Sequence, residues 1–81
     1  MFLEIITPVK KLYSGEIKLL QVPGTKGSFE VMKNHAPIIS TLEKGIVRII
    51  TVEDVEATYE ISGGVVEVKE NTIVLLAETE I

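Results

Sequence analysis

Short apolar runs recur along this chain, and the residues between them break structure. Phe2 to Thr7 is the first run, stopped by Pro8, which lacks the N–H that a central strand must donate. Residues 9–15 read as a loop ending at Gly15, and Glu16 to Val22 as a second run ended by Pro23-Gly24, a pair suited to a type II turn. Ser28 to Val31 follows, with Phe29 and Val31 facing in and Ser28 and Glu30 out. Lys33-Asn34-His35 is a polar break before the apolar run Ala36 to Leu42, and Glu43-Lys44-Gly45 turns the chain again. Ile46 to Val52 and Val55 to Ile61 flank Glu53-Asp54, which predicts a hairpin. That turn has no glycine to supply a positive φ, so a loop longer than two residues is expected. Gly63-Gly64 permits a bend, and Val65 to Lys69 pairs with Thr72 to Glu78 across Glu70-Asn71. No stretch has helical periodicity. The pattern is that of an all-β sandwich or barrel in one domain, residues 1–81.

The faces of these runs carry a second message. Val55, Ala57, Tyr59 and Ile61 alternate with Glu56, Thr58, Glu60 and Ser62, giving one dry and one wet side. Ile46, Val47, Ile49 and Ile50 do not alternate, nor do Ile73, Val74, Leu75 and Leu76. A two-sheet sandwich covers one face of each sheet. The surplus apolar face is expected to be covered by another part of the chain or by a partner.

Composition narrows the function classes. Hydrophobic residues make up 46% of the chain, enough for a packed core and too many for a disordered tail. A domain this short buries a modest fraction of its surface, which is a further reason to expect a partner. The net charge of −4 argues against non-specific nucleic-acid binding. Charge is unevenly spread: residues 1–44 hold six lysines against four glutamates, and 45–81 two basic against eight acidic residues. With no cysteine there is no disulfide or thiolate metal site. No apolar stretch is long enough for a membrane-spanning helix. Glu4 interrupts anything resembling a signal peptide, so the chain is expected to stay where it is made.

Candidate chemistry is thin. His35 is the one histidine, with Glu30 and Glu43 as its nearest acids in sequence, and no metal-ligand spacing is present. Pro23-Gly24-Thr25-Lys26-Gly27 lacks the spacing and the following helix of a phosphate-binding loop. Four aromatic residues supply no stacking platform for single-stranded nucleic acid. The residues alone describe an all-β domain with surplus apolar surface and no catalytic set. That favours a binding or structural role. An independent β-sandwich ligand-binding module is the other reading, which would need a concave site built from Phe2, Tyr13, Phe29 or Tyr59.

An ordered series of short motifs is more specific. Thr7-Pro8, Tyr13-Ser14-Gly15-Glu16, Val22-Pro23-Gly24 with Gly27, and Asn34-His35-Ala36-Pro37 come first. Leu42, Gly45, Val47-Arg48-Ile49, Tyr59 to Gly64, Glu67-Val68, Asn71 and Leu76-Ala77-Glu78 follow. Together they resemble the epsilon subunit of F-type ATP synthases over nearly the whole chain. The resemblance implies a ten-stranded β-sandwich of two five-stranded sheets, working without catalysis or cofactor. It implies a central-stalk subunit that binds the gamma subunit and rests on the c-ring, coupling ion-driven rotation to ATP synthesis. It would be peripheral to the cytoplasmic face of the bacterial inner membrane, through the complex and not by insertion.

On this resemblance Ser28, Glu30 and His35 are candidates for c-ring contact. Ser28 departs from the carboxylate many relatives carry there, and Glu30 shares its strand face. Thr7, Leu42 and Ala77 are candidates for gamma contact. Most relatives continue into a pair of inhibitory helices. This sequence ends at Ile81, so helix-based inhibition and nucleotide sensing are not carried over, and Met1 is read as the natural start.

Overall fold

Alternation of buried and exposed positions builds each strand. The structure is a computed structural model describing residues 1–81. Its strands are β1 Phe2–Ile6, β2 Lys11–Val22, β3 Phe29–Met32, β4 Ile38–Leu42, β5 Gly45–Thr51, β6 Glu56–Ile61, β7 Gly64–Lys69 and β8 Thr72–Ala77. One sheet, sheet A, runs β4-β7-β8-β1-β2. The other, sheet B, runs β3-β2-β5-β6. All pairs are antiparallel except β1 and β8. That parallel pair is possible because the whole remainder of the chain crosses over between them.

β2 belongs to both sheets. Its first half pairs with β1 as far as Glu16, opposite Phe2, and its second half pairs with β5 from Ile17, opposite Thr51. The register slips between Ile17 and Leu19, and this irregularity lets the strand turn the corner from one sheet into the other. Between the sheets lie the side chains that the alternation points inward. They include Leu3 and Ile5 of β1, Leu20 and Val22 of β2, Val47 and Ile49 of β5, and Ile73 and Leu75 of β8, all fully buried. Burying one such side chain contributes about 1.5–3 kcal/mol.

Two expectations change. The structure has eight strands, where the resemblance implied ten. One long strand serves two sheets, and two further pairings are single bridges: Gly24 with Leu42 beside β4, and Glu80 with Ile61 beside β6. The second expectation, a loop over residues 9–15, fails from Lys11 onward. Those residues are the first part of β2, because β1 needs an antiparallel neighbour and finds Tyr13 opposite Ile5 and Gly15 opposite Leu3. Gly15 punctuates nothing. It clears space for the ring of Tyr13, whose hydroxyl would lie 2.9 Å from a Cβ at this position.

The two hairpins behave differently. Lys69 pairs directly with Thr72, leaving a two-residue turn in which both Glu70 (φ 52°) and Asn71 (φ 59°) are left-handed, as a type I′ turn requires. The β5–β6 connection is longer than two residues, as its sequence predicts. Asp54 takes the left-handed position (φ 65°) and its N–H donates to Thr51 O at 2.9 Å. The Thr51 hydroxyl accepts from Val55 N–H at 3.2 Å.

Candidate interaction surfaces

Sheet A carries an apolar row on its outer face. Register sets Ile6 beside Leu76 and Leu76 beside Val65, across β1, β8 and β7. Ile6 and Val65 are half-buried, and Leu76 is 49% exposed. The next outward row holds half-buried Val74 with Glu4 on one side and Glu67 on the other, and beyond Glu67 stands Ile39 of β4, 71% exposed. The Glu4 carboxylate pairs with Lys11 Nζ at 2.8 Å, closing one margin of the patch with a satisfied charge. These are the residues that make the 73–76 segment apolar on both sides: Ile73 and Leu75 fill the core, while Val74 and Leu76 face out.

Thr7, Leu42 and Ala77 lie at one end of this sheet. Leu42 pairs with Gly64 and Gly64 with Ala77, and continuing the β1–β8 register past Ile6 sets Thr7 level with Ala77. The strands crowd here, since a Cβ on Gly64 would collide with the Leu76 carbonyl oxygen. All three side chains point inward, with exposures of 6% for Thr7, 5% for Leu42 and 4% for Ala77. Leu42 and Ala77 belong to the core, and the Thr7 hydroxyl donates to Lys10 O at 3.0 Å and accepts from Lys10 N–H at 3.1 Å. They back the outer surface, while Ile6, Val65, Leu76 and Ile39 present it. The sequence signal for those four was the missing alternation in the runs that hold them.

Ser28, Glu30 and His35 lie around β3. Ser28, just before β3, and Glu30 within it are exposed, and His35 is half-buried in the loop leading to β4. His35 N–H donates to Met32 O at 3.1 Å, closing a turn, and its Nδ1 lies 2.7 Å from Ala36 O. Ser28 accepts a long hydrogen bond from Gln21 Nε2 at 3.5 Å. Glu30 belongs to a polar row crossing sheet B, in which register aligns Glu30 with Gln21, Gln21 with Arg48 and Arg48 with Thr58. Arg48 organises it: Nε donates to Gln21 Oε1 at 3.0 Å, Nη1 to Glu56 at 3.2 Å, and Nη2 lies 3.9 Å from Glu30. Sequence reading placed Arg48 only within a motif. A lone arginine inside an apolar strand, flanked by acids on other strands, was the available signal.

The rest of the surface offers little chemistry. An open groove between the Gly24–Phe29 segment and β4 is lined by Phe29, Ile38 and Ile39 as well as by hydroxyls and Lys26, with Thr25 and Thr41 hydroxyls 2.8 Å apart across it. No three acidic or histidine side chains converge on a point where a cation could sit. Tyr59 titrates above the usual tyrosine range, because burial and then the neighbouring Tyr13 and Glu80 disfavour its anion. No helix of the structure is long and apolar enough to cross a membrane.

Comparison with known proteins agrees with this architecture. Residues 1–81 match the family described as ATP synthase, Delta/Epsilon chain, beta-sandwich domain. An ATP synthase epsilon chain from Chlorobaculum tepidum is 43% identical over 76 residues, covering 94% of this chain and 86% of the relative. One from Syntrophomonas wolfei is also 43% identical, over 77 residues, but this chain spans only 56% of its length. A chain of the Euglena gracilis mitochondrial ATP synthase, in an OSCP/F1/c-ring structure, superposes with a TM-score of 0.90 at 16% identity. It covers 98% of this chain and 51% of the other. A chain in the Tetrahymena thermophila mitochondrial ATP synthase central stalk and c-ring structure gives 0.84 at 18% identity, over 100% of this chain and 65% of the other. At such identities the likeness is one of fold. With the family match running from the first residue to the last, this chain belongs to the family of ATP synthase delta/epsilon β-sandwich domains.

Proposed function

We propose that this chain is a non-catalytic coupling element of an ATP synthase central stalk. Its sheet A would bind the gamma subunit and its β3 region would rest on the c-ring, so that ring and shaft turn together. The assembly would sit at the cytoplasmic face of the bacterial inner membrane, with this chain peripheral to it. The observation that carries the reading is the apolar row Ile6–Leu76–Val65 on the outside of sheet A, in a chain whose interior is already filled. Ile6 and Val65 are half-buried and Leu76 is 49% exposed, so each keeps apolar surface that a partner would cover. Thr7, Leu42 and Ala77 stiffen the end of the sheet beneath that surface. Ser28, Glu30 and His35 supply polar groups suited to polar ring loops. Torque through such a joint calls for a rigid element, and a close-packed sandwich is one.

The test is calorimetric titration of the chain into gamma subunit of the same organism. Saturable one-to-one binding is expected. Leu76→Glu should weaken it at least about tenfold, because it sets an unpaired charge into a desolvated contact. Leu76→Glu binding as tightly as the unsubstituted chain would move the gamma site elsewhere.

A further inference from the structure

The loop that carries His35 is held by a different part of the chain from the strands it joins. Asn34 N–H donates to Asn71 Oδ1 at 2.8 Å, and Asn71 Nδ2 donates to Asn34 Oδ1 at 3.3 Å. Asn71 sits in the β7–β8 turn, 37 residues further along the chain. Its own carbonyl accepts from Phe2 N–H at 3.0 Å, anchoring that turn to the start of β1. Both asparagines are left-handed, with φ 66° at Asn34 and 59° at Asn71. That conformation suits asparagine better than most residues. It is also what lets two turns present their side chains to each other.

We infer that Asn71 is a positioning residue for the ring-contact loop, acting through Asn34 to hold His35 at a set place and angle. The inference rests on the proposed ring contact of that loop. Three features point to it. The clasp joins two turns, so it adds nothing to either ladder. Its partners are both exposed, where a pair of neutral hydrogen bonds contributes little to global stability. Yet the segment it restrains, 33–37, is otherwise hydrogen-bonded outside the strands only by His35 N–H to Met32 O and by the contact of His35 with Ala36 O. An unclasped loop must be ordered when it binds, and that entropy is subtracted from affinity.

Asn71→Gly separates the clasp from the turn, because glycine keeps the left-handed backbone and loses the amide. Asn71→Asp keeps an oxygen for Asn34 N–H. The experiment titrates each complete chain into gamma, then measures retention of the gamma-bound chain by detergent-solubilised c-ring of the same organism. Amide hydrogen exchange is followed on the free chain. Asn71→Gly should bind gamma within about twofold of the unsubstituted chain, lose about tenfold in ring affinity, and show Asn34 N–H exchanging about tenfold faster. Asn71→Asp should recover most of both losses. Equal ring affinity for Asn71→Gly and the unsubstituted chain, or loss of ring affinity only together with faster exchange throughout the strands or lost gamma binding, overturns the positioning role. An unsubstituted chain that binds gamma but no ring overturns the ring-contact reading, and the inference with it.

Discussion

The two sheets are alike on the inside and differ on the outside. Each fills the core with fully buried aliphatic side chains, Ile73 and Leu75 from sheet A, Val47 and Ile49 from sheet B. Outside, sheet A shows the apolar row of Ile6, Leu76 and Val65. Sheet B also has an apolar row, Met32, Leu19 and Ile50, but it runs straight into Glu56 and lies beside the Arg48 row. Arg48, standing on β5, hydrogen-bonds to Gln21 of β2 and Glu56 of β6 and lies within ion-pair range of Glu30 of β3. Lys18 pairs with Asp54 at the same side. Sheet B sets an ion-paired arginine in the middle of its outer face, although Met32 (54%) and Ile46 (59%) also stand exposed there. Sheet A has no such network across its apolar row, and its Glu4–Lys11 pair lies at the margin. The same strand pattern therefore carries a charged network on one outer face and an uninterrupted apolar row on the other, the face proposed above to meet a partner. The difference lies in a few charged side chains spaced at strand register.

Several substitutions would break or sharpen this contrast. The largest effect should come from the shared interior. Leu75→Ala and Ile49→Ala each remove buried methyl groups and leave a cavity, so each should cost about 2–5 kcal/mol in urea unfolding. Similar losses for both would confirm that the sheets contribute equally inside. The next effect separates the outsides. Leu76→Glu should lower gamma affinity at least about tenfold, whereas Ile50→Glu on sheet B should change it less than about twofold. Equal losses would erase the distinction between the faces.

Arg48→Gln should cost a smaller amount, about 0.5–1.5 kcal/mol, because its partners are partly exposed and remain hydrated when released. The loss should shrink in ~1 M salt, where exposed ion pairs are screened. A larger loss that ignores salt would show that the aliphatic stem of Arg48, packed on sheet B, matters more than its charge.

The smallest effect concerns Tyr59. Its hydroxyl titrates higher in the folded chain than in the unfolded chain. Below the unfolded tyrosine range both states are neutral and the residue is indifferent. As pH rises through that range the unfolded chain loses its proton first, so stability declines until the folded pKa is passed. Tyr59→Phe should flatten this alkaline decline in a series of urea unfolding curves. An unchanged slope would assign the decline to other groups.

Most strands could be read because each carries its own evidence in neighbouring residues. Val55 to Ile61 alternates, Glu70-Asn71 marks a turn, and Pro8 and Pro23 mark stops. The first half of β2 could not be read this way. Lys11 to Gly15 has little apolar alternation, and it becomes a strand because β1 lies beside it. The inward positions of Thr7, Leu42 and Ala77 were hidden for a related reason. Each ends or follows a strand, where the chain alone does not show which side the partner sheet will cover.

What the sequence determined by itself was the fold class, the surplus of apolar faces, the absence of cysteine chemistry and, through its ordered motifs, the family. These depend on local spacing, which survives in one dimension. Tertiary structure alone decided that β2 would serve two sheets, that Arg48 would gather partners from β2, β3 and β6, and that Asn34 would meet Asn71 across 37 residues. Such pairings depend on sheet order and register. Hydrogen-bonding groups separated by many residues meet only where the closed sandwich has already set their distance.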